Sequence, residues 1–127
     1  LFAGSGALGF EAASRGARRV VMIERDLKTV SALEKNRALL DATAVDILRA
    51  EALAWLANNH EAFDLIFVDP PFDSGLSGPV LAGLATHLKS GGHTYVEQGT
   101  EVKAPPGFII HRSGRAGRSH FALLTKE

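Results

Sequence analysis

Gly4-Ser5-Gly6-Ala7-Leu8-Gly9 and, further on, Arg19-Val20-Val21-Met22-Ile23-Glu24 read as a tight turn entering a helix, then a buried strand ending in an acid. Glycine permits positive φ and close backbone approach, so the first stretch suits a turn. Leu8, Ala12 and Ala13 offer the helix an inner face, and Gly16 a stop. The second stretch is continuously apolar and β-branched, the pattern of a parallel strand covered on both sides. Leu1-Phe2-Ala3, ahead of the turn, reads as the end of a further strand. A start at Leu1, so close to a glycine turn, is expected of a fragment whose first strand is truncated and whose N-terminal segment is missing.

Outward from this pair, helix and strand alternate. Asp26 is placed to N-cap a helix reaching about Leu40, with Leu27, Val30, Leu33 and Ala38 near helical spacing. Ala44 to Leu48 predicts a short strand, Ala52 to Asn58 a brief helix carrying Leu53, Trp55 and Leu56, and Phe63 to Val68 a third strand. That strand must stop at Asp69-Pro70-Pro71-Phe72, because proline cannot donate to a ladder. A helix from about Gly78 to Leu88, closed by Gly91-Gly92, and a strand from His93 to Glu97 follow. Phe108–His111 and His120–Leu124, joined by Ser113-Gly114-Arg115-Ala116-Gly117, predict an antiparallel hairpin. The fold class is therefore α/β: a Rossmann-like, doubly wound, mostly parallel sheet with a C-terminal antiparallel hairpin, forming one domain over 1–127.

Composition narrows the function. The chain has 127 residues, 46% hydrophobic and 22% charged, as in an ordinary soluble globular protein. No run approaches the roughly eighteen apolar residues of a membrane span. The absence of cysteine removes disulfides, thiolate metal sites and a cysteine nucleophile, and suits a cytoplasmic location. Fourteen basic residues balance fourteen acidic ones, so attraction to a polyanion must be local. Arg112, Arg115 and Arg118 in the hairpin suit either phosphate contact or a solvated turn. The five histidines lack the paired spacing of a metal site, and no metal is expected. Ser5 and Ser119 have no convincing base, so a hydrolase triad is not expected.

In an open α/β sheet, ligands bind beyond the carboxyl ends of the strands, where the chemically marked turns lie. Gly4, Gly6 and Gly9 match G-x-G-x-x-G, and Glu24 ends the next strand, where it can accept from ribose hydroxyls. This describes any nucleoside-containing cofactor, a dinucleotide included; a glycine-rich helix start without a ligand is the plainer alternative. Asp69-Pro70-Pro71-Phe72 combines a carboxylate, a rigid corner exposing a backbone carbonyl, and an aromatic face. Those parts suit a planar base with an exocyclic amine: Asp69 and the Pro70 carbonyl accept its N–H groups while Phe72 stacks, worth roughly 1–3 kcal/mol. A proline-terminated strand with a capping Asp is the plainer alternative.

Leu1 through Gly9 resembles the S-adenosylmethionine loop of class I methyltransferases, and Asp69-Pro70-Pro71-Phe72 resembles the (D/N)-P-P-(F/Y/W) signature of amine methylation. With Glu24 between them and Tyr95-Val96-Glu97 after them, the whole chain resembles the RsmD family of 16S rRNA guanine-N2 methyltransferases. The resemblance implies a single S-adenosylmethionine-dependent methyltransferase domain acting on 16S rRNA or the small ribosomal subunit particle. It implies that Phe2, Ala3, Gly4, Ser5 and Gly6 form the cofactor loop, with Gly4 to Gly6 under the methionine part. Glu24 would hold the ribose, Arg25 would lie beside the adenine, Glu51 and Ala52 would meet its edge, and Leu53 would line its pocket. Asp69, Pro70, Pro71 and Phe72 would be the catalytic set that holds the guanine. A DNA adenine-N6 or cytosine-N4 methyltransferase is the alternative within the class. An NAD-dependent oxidoreductase is the alternative outside it, sharing the glycines and Glu24 but with no use for Asp-Pro-Pro-Phe.

Overall fold

The β-branched run forms β1 (Val20–Glu24), which pairs in parallel with β2 (Val45–Arg49) from Val20↔Val45 to Glu24↔Arg49. The computed structural model describes residues 1–72 and 74–127, grouped into two units, Leu1–Trp55 and Leu56–Glu127. In the first unit α1 (Ala7–Ser14) precedes β1 and α2 (Leu27–Leu39) connects β1 to β2. The Asp26 carboxylate caps α2 as expected, accepting from the Thr29 amide at 2.9 Å and the Thr29 hydroxyl at 2.7 Å. Met22, Leu33 and Val45 form the buried cluster, with Ala3, Phe10, Ala13, Val20, Ala42 and Ile47 packed against it. The inner faces differ from expectation: Leu8, Leu27 and Ala38 are exposed, leaving Phe10 and Ala13 of α1 and Leu33 of α2 to face the core. Ala12 and Val30, also expected on these faces, are half-buried.

Leu1–Ala3 is not a strand. The Ala3 amide donates to the Ile23 carbonyl of β1 at 3.0 Å, and Phe2, at φ 58°, turns the chain out of extended geometry. The helix Ala52–Asn58 (α3) and the strand Phe63–Val68 (β3) stand where the sequence puts them.

The second unit holds a four-stranded sheet in the order β3, β4 (Leu88–Gln98), β6 (Ser119–Lys126), β5 (Phe108–Ala116). β3 and β4 are parallel, and the β4–β6 and β5–β6 pairs are antiparallel. Val68, Val96, Ala122 and Leu124 along these strands are fully buried. The helix expected over 78–88 is shorter. α4 covers Ser77–Ala82 and ends at Gly83, a 3-10 turn covers Ala85–His87, and the chain is extended from Leu88. Gly78, Pro79 and Gly83 are poor helix formers. The Lys126 ammonium, donating to the Ala85 carbonyl at 2.6 Å and the Leu88 carbonyl at 2.8 Å, satisfies the acceptors a longer helix would have used.

Gly91-Gly92 therefore closes no helix. It lies inside β4, where Leu88 pairs with Phe63 but His93 already pairs with Leu65. The surplus residues bulge, with Gly91 at φ 75°. The hairpin is also longer than expected, turning only at Gly117-Arg118. Ser113 to Ala116 is strand because Gly114 pairs with Phe121 and lets its ring lie close; a Cβ there would stand 2.6 Å from the ring. No helix among the described residues is long and apolar enough to cross a membrane.

Candidate cofactor and base-binding sites

The glycines of the first turn separate by task. Gly4 and Gly6 have φ of 55° and 81°, a region closed to most side chains. A Cβ on Gly6 would stand 2.6 Å from Leu33 Cδ2 and 2.7 Å from the Phe10 ring, and one on Gly9 2.5 Å from Met22 Cε. Both are spacers that let α1 settle against β1 and α2. A Cβ on Gly4 would meet nothing nearer than the Phe2 carbonyl oxygen at 3.9 Å. Space is open there, the space a ligand lying against backbone needs.

Glu24 ends β1 beside this loop. Its Oε1 accepts the Gly4 amide at 3.0 Å and its Oε2 the Asp26 amide at 3.0 Å, so the carboxylate ties the loop to the start of α2. Each oxygen has a second lone pair, leaving two acceptor directions, as many as a ribose has vicinal hydroxyls. The loop and Glu24 thus fit a nucleoside cofactor. Phe2 and Ala3 are half-buried, Ala3 against the core. Ser5 is exposed, its hydroxyl 3.4 Å from the Ala7 amide, and Arg25 is exposed, its carbonyl accepting from Arg49 Nε at 3.2 Å.

Glu51 has a task the sequence did not reveal. Its Oε2 accepts the Ala54 amide at 2.7 Å, capping α3. Ala52 is buried and Leu53 half-buried.

In the second unit β3 delivers Asp69 past its last paired residue, Val68. Asp69 is exposed, Pro70 is buried and fixes the corner, and Pro71 and Phe72 are exposed. No hydrogen bond among the described residues engages the Asp69 carboxylate. Partial burial, then the negative field of Glu97, hold its pKa above the ordinary carboxylate value. Tyr95 donates its hydroxyl to Glu97 Oε1 at 2.7 Å. Burial, that bond and the charges of Glu97 and Asp69 push the tyrosine to about 12. Phe67 and Tyr95 meet edge to face at 6.2 Å. The Arg118 guanidinium, from the hairpin turn, lies 4.7 Å from the centre of the Phe72 ring.

Three members of this second group were not placed beside Asp69-Pro70-Pro71-Phe72 by the sequence. Tyr95 and Glu97 entered only as part of the Tyr95-Val96-Glu97 segment that carries the resemblance, with no role of their own, and Arg118 as one of three hairpin cations suited to phosphate or solvent. The signal for Glu97 is the register that sets it beside Asp69.

A family profile described as conserved hypothetical protein 95 matches residues 1–125. The chain is 35% identical over 131 residues to ribosomal RNA small subunit methyltransferase D of Escherichia coli (strain K12), covering 99% of this chain and 66% of that protein. It is 34% identical over 128 residues to the protein of the same name from Buchnera aphidicola subsp. Baizongia pistaciae, covering 96% and 65%. The chain thus spans about two thirds of the length of these curated relatives. The solved yhhF structure from Escherichia coli superposes with a TM-score of 0.92 at 36% identity, covering 99% of this chain and 72% of that one. Open glycine loop, strand-end acid and Asp-Pro-Pro-Phe corner accordingly sit on a Rossmann-like methyltransferase fold, and the chain belongs to the conserved hypothetical protein 95 family.

Proposed function

We propose that this protein transfers a methyl group from S-adenosylmethionine to the exocyclic N2 amine of a guanine in 16S rRNA, presented by the cytoplasmic small ribosomal subunit or its rRNA. The observation that carries the reading is Asp69: an exposed carboxylate with no hydrogen-bond partner among the described residues, on a proline corner followed by an exposed aromatic ring. The names of the curated relatives point to small-subunit rRNA over DNA.

The cofactor supplies an electrophilic methyl group on a sulfonium. Gly4 gives it backbone to lie against, with Ser5 and Gly6 continuing the loop from Phe2 and Ala3. Glu24 accepts from the ribose, and Arg25, Glu51, Ala52 and Leu53 border the adenine. Asp69 and the Pro70 carbonyl accept the two N–H groups of the target amine. Held so, the nitrogen conjugates less with its ring and its lone pair is aimed. Pro71 stiffens the corner and Phe72 stacks on the base. Alignment is the main contribution, since well-oriented groups reach effective molarities of about 10⁵ M or more. As nitrogen becomes positive, the Asp69 carboxylate stabilises it, and its raised pKa makes it a better proton acceptor than an ordinary aspartate. A guanine within a helix cannot present N2 in this way, so the target is extruded or already unpaired.

The test pairs binding with turnover. S-adenosylhomocysteine should raise the melting temperature and NADH should not, by about 2.7 kcal/mol of stabilisation at a hundredfold excess over Kd. Asp69→Ala should retain that shift while methyl transfer to stripped small subunits falls below detection. An NADH shift, or loss of both properties together in Asp69→Ala, refutes the assignment.

A further inference from the structure

We propose that Glu97 selects the base: its free carboxylate oxygen accepts the ring N1–H of guanine while Asp69 accepts from the neighbouring N2 amine. This rests on the methyltransferase reading above and adds the residue that would confine it to guanine.

The geometry begins with register. β3 and β4 run parallel with Phe67 beside Tyr95 and Val68 beside Val96, so Asp69 follows β3 at the level where Glu97 continues β4. Side-by-side residues of a parallel pair share a face, and the edge-to-face contact of Phe67 with Tyr95 shows that face two residues earlier. Glu97 is half-buried and held from one side, Tyr95 donating to Oε1. Among the described residues nothing engages Oε2. The tyrosine keeps its proton throughout the physiological range and so remains a donor. Burial first, and then the repulsive field of Glu97, raise the Asp69 pKa. Adjacent donors on a ligand would relieve that repulsion.

Among amine-bearing bases, guanine has those donors. Its N2 amine adjoins N1–H, whereas the adenine N6 amine adjoins a bare N1 and the cytosine N4 amine a bare N3. A fixed carboxylate oxygen accepts from guanine and repels the lone pair of the other two. The Asp-Pro-Pro-Phe corner alone tolerates all three.

The test uses the protein as encoded and a small-subunit RNA whose target guanine is replaced by 2-aminopurine, which keeps the amine but has a bare N1. The unsubstituted protein should prefer guanine by about 10- to 100-fold in kcat/KM, the range of one hydrogen bond to a charged group. Glu97→Gln keeps an acceptor for Tyr95 and offers an amide N–H to a bare N1. Its preference should collapse to within about threefold or reverse, with S-adenosylhomocysteine binding unchanged and the melting temperature no lower. Tyr95→Phe, which frees Glu97 but keeps it charged, should retain part of the preference. Equal losses on both RNAs in Glu97→Gln would make the residue structural and overturn the proposal. An unsubstituted protein that methylates neither RNA would instead overturn the parent reading, and this inference with it.

Discussion

Asp69 is asked to be ionised where ionisation is disfavoured. Burial and the field of Glu97 raise its pKa in the folded chain, so protonation favours the folded state between its unfolded and folded values. Stability therefore falls as pH rises through that window, and the penalty persists at neutral pH. Below the ordinary value of 3.8 it is gone. Asp69→Asn, which removes the charge and keeps the shape, should melt higher than the unsubstituted protein at pH 7, and the two should coincide near pH 3. Methyl transfer should be lost in the same variant. Thermal melts at the two pH values check the sign, and an Asn variant less stable at pH 7 would contradict it. The arrangement fits a site that keeps a strained group for use.

At the scale of elements, the glycine loop divides stability from affinity. Gly6→Ala forces a methyl into Leu33 and Phe10 at φ 81°. Overpacking costs about 1–3 kcal/mol and the left-handed backbone about 1–2 kcal/mol more. Gly4→Ala meets open space, so its cost should be the backbone's alone, about 1–2 kcal/mol. Its methyl, however, enters the open space proposed to receive the cofactor. Urea melts and S-adenosylhomocysteine titrations should rank the two oppositely: Gly6→Ala the less stable, Gly4→Ala the weaker binder. This division also explains what could be read in advance. Strands β1 and β3 are legible because each is a largely apolar, β-branched or aromatic run, even though Asp64 and Leu65 of β3 are exposed, and the Gly4, Glu24 and Asp69 positions because turn chemistry is local. The start of β4 is not, since it depends on Leu88 meeting Phe63 and on Lys126 satisfying the turn before it. The placements of Glu97 and Arg118 were hidden for the same reason: one acquires its place from strand register, the other lies over Phe72 from a hairpin that turns at Gly117-Arg118.

For the molecule as a whole, balanced charge sets the terms on which the proposed RNA substrate is held. With fourteen cations against fourteen anions there is no net field to draw in a polyanion, so phosphate contacts must come from a local group. The hairpin supplies one. Arg112, Arg115 and Arg118 are exposed, and Arg118 spends one face of its guanidinium on Phe72 while its edge donors make no hydrogen bond among the described residues. A base stacked on Phe72 would bring its own phosphate to the neighbourhood of those donors. Each neutralised phosphate contributes about 0.7–0.9 to the slope of log affinity against log salt. Replacing all three arginines by glutamine should flatten that slope by about 2 to 3, while S-adenosylhomocysteine binding stays as it was. Arg118→Gln alone should take a single share of the slope and also raise KM for the RNA, because the ring it covers loses its support. A slope unchanged in the triple variant would return the three arginines to solvent and place the RNA contacts elsewhere on the chain.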